Sequence, residues 1–168
     1  MNRITPFLPP DEAKLADHYE QGRLFEEYVK NLFNEKSFKL KRWRKSALIS
    51  PDTFISDISY PDLELVFVRE NHYPFAVECK WRSNFDVNGK IDWAREDQIK
   101  IYLNFQKNSA IPVFIAIGIG NTPSDPEKLF VTPLKSICKY PEVYEHQLIR
   151  YKRKPARRFF YDTVQKRL

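Results

Sequence analysis

Two acidic residues and one lysine stand in apolar surroundings at a spacing that could bring them together. Asp62 precedes Glu78 by sixteen residues, and Glu78 and Lys80 flank Cys79 within the apolar run Phe75–Trp81. In an extended chain alternate side chains share a face, so Glu78 and Lys80 project on one side and Cys79 on the other. Carboxylates are hard oxygen ligands for Mg²⁺ or Mn²⁺, and a nearby ammonium can stabilise developing negative charge. These residue types suit metal-assisted hydrolysis of a phosphodiester.

Two neighbouring strands are predicted to position these groups. The run Asp62–Val68 is rich in Leu, Val and Phe, which favours a strand, and Phe75–Trp81 predicts the next one. The polar segment between them, ending at Pro74, predicts a turn. Strands joined in this way pair side by side, which would place Asp62 near Glu78.

Other interpretations of these residues stay open. Asp57 lies five residues before Asp62 in another apolar run, and Glu64 shares a strand face with Asp62, so either could take its place. Asp62 could instead be a turn residue after proline. Glu78 and Lys80 could form a salt bridge on an exposed strand, where such pairs contribute only about 0–1 kcal/mol. We favour Asp62 as the partner of Glu78.

A helical pattern precedes the strands. Apolar residues recur at helical spacing from Leu15 to Phe33, and Gly22 and Glu26 are four residues apart on one face. Gly22 is expected to allow close packing of the helix and to aim Glu26 at the sheet. Glu26 could equally belong to the polar edge of an amphipathic helix.

A second helical pattern follows, with two further strands after it. Trp93–Phe105 predicts a helix on which Gln98 and Tyr102 share a face, although a tyrosine at this spacing often packs in a core. The apolar runs Pro112–Gly118 and Leu129–Thr132 predict strands. The order of elements is therefore helix, strands, helix, strand.

Pro61-Asp62 and Glu78-x-Lys80 together resemble the signature of the PD-(D/E)xK nuclease superfamily, the restriction-endonuclease-like enzymes. The order of elements is similar to the αβββαβ core of that superfamily, and the resemblance covers residues 12–133. It implies an α/β fold with a central mixed sheet flanked by helices. Gln98-x-x-x-Tyr102 resembles a motif of one branch, found in exonucleases and in nuclease domains of recombination and repair.

The resemblance also implies roles for individual residues. Lys80 would lie beside a metal-bound water, and Gln98 and Tyr102 would contact the nucleic-acid strand or orient the site. The expected cofactor is Mg²⁺ or Mn²⁺. Its ligands would be Asp62, Glu78, the backbone carbonyl of Cys79 and, directly or through water, Glu26; the catalytic set would be Asp62, Glu78, Lys80 and Glu26.

Positive charge is concentrated in two segments. The net charge is +6, and residues 150–168 hold eight Lys or Arg against one acid. Residues 36–45 form a second basic cluster that contains Phe38 and Trp43, a mixture suited to a phosphate backbone with bases beside it, although such residues could simply be solvated. The C-terminal segment could also fold back on its domain or form a dimer contact. The predicted nucleic-acid contacts are Gln98, Tyr102, Lys41, Arg42, Arg44, Lys152, Arg153, Arg157 and Arg158.

Length and composition exclude several classes of protein. The 168 residues fit one domain, 1–168, with a basic C-terminal extension at 149–168. Apolar runs fall short of the ~18 residues that a membrane span needs, and the N-terminus has no signal-peptide pattern, so we expect a cytoplasmic protein without a membrane partner. Two cysteines and three scattered histidines offer neither a disulfide framework nor a zinc cluster, and four glycines offer no phosphate-binding loop.

The sequence therefore predicts a single-domain, metal-dependent deoxyribonuclease that binds DNA. Because no separate sequence-reading module is recognisable, we expect structure-dependent cutting or action within a larger complex, with a homodimer as another arrangement. Endonuclease and exonuclease action both fit, as do one metal or two. The alternatives are a catalytically inactive nucleic-acid-binding module and an interaction subunit of a recombination, transposition or restriction complex.

Overall fold

A six-stranded mixed sheet lies at the centre of the protein. The computed structural model describes residues 10–44, 60–69 and 71–168, and for residues 10–13, 15 and 16 the backbone alone. In chain order the elements are α1 (Pro10–Asn31), β1 (Phe38–Trp43), β2 (Leu63–Phe67), β3 (Tyr73–Arg82), β4 (Lys90–Asp92), α2 (Glu96–Ser109), β5 (Val113–Ile119), β6 (Lys128–Pro133), β7 (Glu142–Tyr144), α3 (Glu145–Leu148) and β8 (Lys152–Arg153), with 3₁₀ turns at Leu134–Ser136 and Ile149–Tyr151.

The strand order of the sheet is β1-β2-β3-β5-β6-β8, and β4 and β7 form a separate antiparallel pair. All neighbours in the large sheet are antiparallel except β3 and β5, which are parallel. A parallel pair needs a long crossover connection, and α2 lies within it. The order α1, β1, β2, β3, α2, β5 confirms the predicted αβββαβ core and its mixed sheet. In the described part of the chain, no helix is both long enough and apolar enough to cross a membrane.

The boundaries of the second helix differ from the prediction. The helix begins at Glu96 rather than at Trp93. The Trp93 side chain is fully buried, and its backbone N–H donates to the Pro141 carbonyl at 3.0 Å. Trp93 therefore belongs to the junction beside the small sheet, which the apolar periodicity alone did not reveal.

Each face of the large sheet has its own apolar core, because alternate side chains point to opposite faces. Phe75, Val77 and Cys79 of β3 belong to the core that α1 covers. Ala76, between them, belongs to the core that includes α2, β4 and β7. The strand that carries the Glu-x-Lys motif is therefore held from both sides.

The basic C-terminal segment packs on the same face as α1. Phe159, Tyr161 and Leu168 are buried in that core. The backbone N–H of Phe159 donates to the Leu32 carbonyl at 2.9 Å, and the Tyr28 hydroxyl donates to the carbonyl of Pro155. Of the three alternatives considered from sequence, these contacts correspond to folding back on the domain.

Close packing of α1 occurs at a different glycine from the one expected. A Cβ atom at Gly22 would meet nothing within 4 Å, so the prediction that Gly22 lets the helix pack closely is wrong. On β5, a Cβ atom at Gly118 would lie 2.3 Å from Cε2 of Phe25, which is fully buried. The Phe25 ring thus rests directly on the sheet at Gly118. Since Glu26 follows Phe25, this contact sets where Glu26 lies.

We expect Gly118→Ala to destabilise the fold by about 1–3 kcal/mol, because the added methyl overpacks the Phe25 ring. The matched control Gly22→Ala should stabilise it by about 0.5–1 kcal/mol, since an alanine replaces glycine in a helix with open space beside it. Urea denaturation of the parent and both variants measures these differences. Equal effects at the two positions would contradict the packing described for Gly118.

Candidate active site

The candidate site lies where β3 continues beyond its neighbour β2. The β2–β3 register runs from Phe67↔Tyr73 to Leu63↔Val77, whereas β5 accompanies β3 to Arg82. Residues 78–82 therefore extend past the end of β2. Among the described residues no strand pairs with residues 78–82 on the β2 side, and this stretch is called the open edge of β3.

Asp62 occupies the start of that open edge. It directly precedes β2, and its Oδ2 accepts a hydrogen bond from the Cys79 backbone N–H at 2.8 Å. In a strand, the N–H and C=O of one residue point toward the same edge. The Cys79 carbonyl therefore lies on the Asp62 side of β3, as the predicted role of that carbonyl requires.

Glu78 and Lys80 project toward α2, where Tyr102 meets both. The Lys80 Nζ lies 2.5 Å from Glu78 Oε1, and the Tyr102 hydroxyl donates to the same oxygen at 2.6 Å. Lys80 Nζ in turn donates to the Tyr102 hydroxyl oxygen at 3.3 Å. The side chains of Glu78 and Lys80 are only 5% and 15% exposed, so they are not the solvent-exposed strand pair considered from sequence.

Glu26 reaches the same region from α1. It is 2% exposed, which excludes the polar edge of an amphipathic helix as its position. Its Oε2 accepts a hydrogen bond from the indole Nε1 of Trp43, at the end of β1, at 3.1 Å. Its charge contributes to raising the pKa of Asp62. The indole thus orients a buried carboxyl near the other acids.

Crowded negative charge dominates the electrostatics of the site. Burial and the charges of Glu78 and Glu26 raise the pKa of Asp62 well above its ordinary value, against the opposing effects of Lys80 and the Cys79 N–H. Burial lowers the pKa of Lys80, but the charges of Glu78 and Asp62 outweigh it and the net pKa is raised. Lys80 is therefore an ammonium at neutral pH. A divalent cation beside these acids would stabilise the ionised form of Asp62.

Tyr102 remains a hydrogen-bond donor under all physiological conditions. Burial and the adjacent Glu78 charge raise its pKa far above the usual value for a phenol. The hydroxyl therefore keeps its proton and donates it to Glu78 Oε1. This contact fixes one carboxylate oxygen of Glu78. The position of the second oxygen follows from the same side-chain conformation.

The chemistry of the donors fits Mg²⁺ or Mn²⁺. Within the described ranges, no three His, Cys, Asp or Glu side chains are gathered closely enough to form a metal cluster by themselves. Mg²⁺ commonly takes only one or two protein carboxylates and keeps several waters. Asp62 and Glu78, with the Cys79 carbonyl, offer such a set, and a bound ion would oppose the burial and the neighbouring acids that raise the pKa of Asp62.

The structure describes one of the two competitors of Asp62. Glu64 Oε1 is 2.5 Å from a guanidinium nitrogen of Arg44, so its carboxylate is engaged in an ion pair. Asp57 lies outside the described residues. Of the two acids that the structure describes, Asp62 is the one that lies at the open edge of β3.

Gln98 and Tyr102 share α2 but have different contacts. The Gln98 Oε1 accepts a hydrogen bond from the Arg95 backbone N–H at 3.1 Å, which satisfies a donor at the start of the helix. Tyr102, in contrast, contacts Glu78 and Lys80. The prediction that Gln98 contacts nucleic acid remains a prediction.

The predicted DNA-contacting cations lie in three kinds of environment. Lys41 and Arg42 are exposed on β1. Arg44 is largely buried, with 9% of its side chain exposed. Arg153 Nε donates to the Leu168 carbonyl at 2.9 Å. The other predicted contacts in the C-terminal segment are exposed: Lys152, Arg157 and Arg158.

Sequence reasoning missed the contacts that Trp43 and Arg44 make with the site. Trp43 lies seventeen residues from Glu26, and Arg44 lies twenty residues from Glu64. Neither separation follows a helical or strand period. The available signal is the aromatic and basic composition of residues 36–45, which by itself favours a nucleic-acid surface.

Comparisons with solved structures support the fold described above. No protein-family model matches the chain, and no curated protein matches it significantly. A solved structure of Hjc, a Holliday junction resolvase from the archaeal hyperthermophile Archaeoglobus fulgidus, is similar, with a TM-score of 0.51 and 16% sequence identity. The match covers 74% of this chain and 87% of the resolvase. The chain therefore has the restriction-endonuclease-like fold that the order of its elements predicted.

Proposed function

We propose that the protein is a divalent-metal-dependent deoxyribonuclease. The observation that carries this proposal is that Asp62 binds the backbone between Glu78 and Lys80, close enough for the charges of both to act on its pKa. The fold that it shares with a Holliday junction resolvase supports DNA as the substrate. We further propose that cutting depends on DNA structure, or takes place within a larger complex or a homodimer, inside a compartment that contains DNA.

The proposed mechanism assigns each residue a task. Asp62, Glu78 and the Cys79 carbonyl would hold Mg²⁺ or Mn²⁺, and Glu26 would hold a further water or a second ion. A metal held there would supply an activated water and offset the charge of the phosphate. The Lys80 ammonium favours the deprotonated water and stabilises negative charge on the phosphate as it develops.

Two residues support this set from either side of the sheet. The Tyr102 hydroxyl holds Glu78 Oε1 beside Lys80, and the Trp43 indole holds Glu26 Oε2. Preorganised groups need not rearrange when charge develops, which is the main way that electrostatic catalysis lowers a barrier. We therefore regard Tyr102 and Trp43 as positioning residues of the proposed site.

Exposed cations provide the proposed DNA-binding surface. Lys41 and Arg42 on β1, with the exposed basic residues of the C-terminal segment, can neutralise phosphates. Binding of this kind weakens as salt concentration rises, because released counterions drive it. Binding without cleavage would instead favour a nucleic-acid-binding module or an interaction subunit.

Replacing Lys80 should separate cleavage from binding. We expect Lys80→Ala to slow cleavage by about 10²–10³-fold, because the site loses its stabilising cation, with DNA affinity largely retained. The measurement is cleavage of linear, circular and branched DNA with Mg²⁺, Mn²⁺ or EDTA. Lys100→Ala is the matched control, since Lys100 is an exposed lysine on α2.

The outcome of this experiment decides between the proposed functions. Cleavage by Lys80→Ala at the parent rate would contradict the site assignment. Salt-sensitive binding by a parent protein that cuts none of the substrates would favour the binding module.

Neutralising Asp62 should stabilise the metal-free protein. The pKa of Asp62 is higher in the folded state than in the unfolded chain, so the folded state loses stability as pH rises between these two values. Above the ordinary carboxyl pKa, and so at neutral pH, Asp62 therefore opposes folding. Asp62→Asn removes the charge and keeps an oxygen for the Cys79 N–H, so we expect a higher melting temperature in EDTA.

The same variant should lose its response to metal. A ligand present at a hundredfold its dissociation constant stabilises a protein by about 2.7 kcal/mol, and Asp62→Asn should forfeit most of this gain with Mn²⁺. Asp97→Asn is the control, because Asp97 pairs with Arg95 at an exposed position on α2. An unchanged Mn²⁺ response in Asp62→Asn would show that Asp62 is not a ligand.

A further inference from the structure

Arg44 makes four contacts with the short segment that carries Asp62. Its backbone N–H donates to the Asp62 carbonyl at 2.8 Å, and its Nη1 donates to the Pro61 carbonyl at 2.8 Å. Its Nη2 lies 2.5 Å from Glu64 Oε1, and its guanidinium carbon lies 4.5 Å from the centre of the Tyr60 ring. These contacts cover residues on both sides of Asp62.

A β-bulge brings Arg44 to this position. In the β1–β2 pair Leu40 lies opposite Leu65, but Arg42 lies opposite Glu64, so Lys41 is the extra residue. A bulge shifts the register by one residue. When the new register is continued, Arg44 lies opposite Asp62 rather than opposite Pro61. The hydrogen bond from the Arg44 N–H to the Asp62 carbonyl shows this pairing.

The chemistry of arginine suits this place. A planar guanidinium can donate to a carboxylate and a carbonyl at once, in fixed directions, which a lysine cannot do. Arg44 uses one nitrogen for Glu64 and the other for Pro61, the residues two after and one before Asp62. Its side chain is 9% exposed, whereas Arg42, two residues earlier on β1, is exposed. Arg42 is therefore the better placed of the two for a phosphate.

We infer that Arg44 is a positioning residue that holds the segment Tyr60–Glu64 so that the Asp62 carboxylate meets the Cys79 amide, in place of the DNA contact expected from sequence. Glu64 is its anchor within that segment. The catalytic consequence rests on the proposed nuclease function, because it assumes that Asp62 acts in cleavage. The structural consequence, at the Cys79 amide, does not depend on that function.

The test measures hydrogen exchange of the Cys79 amide by NMR in the metal-free protein. Arg44→Lys keeps the charge but loses the two guanidinium donors with fixed directions. The Asp62–Cys79 hydrogen bond should therefore open more often, and the amide should exchange about tenfold faster. The Ile115 amide, in the centre of the sheet, reports on global stability and should change little. Arg23→Lys is the matched control, since Arg23 forms its ion pairs with Glu20 and Glu27 on α1.

Glu64→Gln provides a second variant that retains the shape of the side chain. It should also accelerate hydrogen exchange of the Cys79 amide, but by a smaller factor. If Arg44→Lys does not fold, this variant provides the test. In the cleavage assay, both variants should reduce kcat about tenfold or more while the Kd for DNA stays within about twofold of the parent.

The outcomes separate this inference from the proposed function. Faster Cys79 exchange with an unchanged Ile115 amide supports the positioning role, even if the parent protein cuts no DNA and the proposed function fails. Unchanged Cys79 exchange, with weaker DNA binding and a shallower salt dependence, would overturn the inference and make Arg44 a phosphate contact.

Discussion

The hydrogen bond from the Cys79 amide to the Asp62 carboxylate is the interaction on which the site depends. β3 continues past the end of β2, and at that point a side chain takes the place of the next strand residue. This substitution keeps the buried amide satisfied, which a folded chain requires. It also places a carboxylate next to the Glu-x-Lys strand, with the Cys79 carbonyl on the same edge. The same hydrogen bond therefore satisfies a buried backbone donor and places a proposed metal ligand.

The surrounding elements hold unlike charges in a region that disfavours charge. Glu26 comes from the α1 side of the sheet, and Glu78 and Lys80 face α2. Each acid has a donor: the Trp43 indole, the Tyr102 hydroxyl or the Cys79 amide. Hydrogen bonds to a carboxylate partly compensate for lost hydration, but they leave the repulsion between acids in place. That repulsion disfavours folding without a cation, and it makes the site receptive to one.

The sequence predicted the elements better than the contacts between them. Apolar runs predicted β2, β3, β5 and β6 because these strands are largely buried, and helical periodicity predicted α1 and α2 within a few residues. The short strands β4, β7 and β8 carry too few residues for a period to show. Gly22 was chosen for its spacing to Glu26, whereas Gly118 packs against Phe25 across a distance of more than ninety residues, which local patterns do not encode. The ion pair of Arg44 with Glu64 depends on a one-residue bulge, and that too is set by tertiary packing.

The central claim is that the open edge of β3 is a divalent-metal site, and a crystal structure grown with Mn²⁺ tests it most directly. Anomalous scattering locates the ion independently of the assigned chemistry. We predict a peak bonded to the carboxylates of Asp62 and Glu78 and to the Cys79 carbonyl, at about 2.0–2.2 Å, the distance range of small hard divalent cations. An ion bound only elsewhere, or no peak at this edge at a saturating Mn²⁺ concentration, would contradict the account.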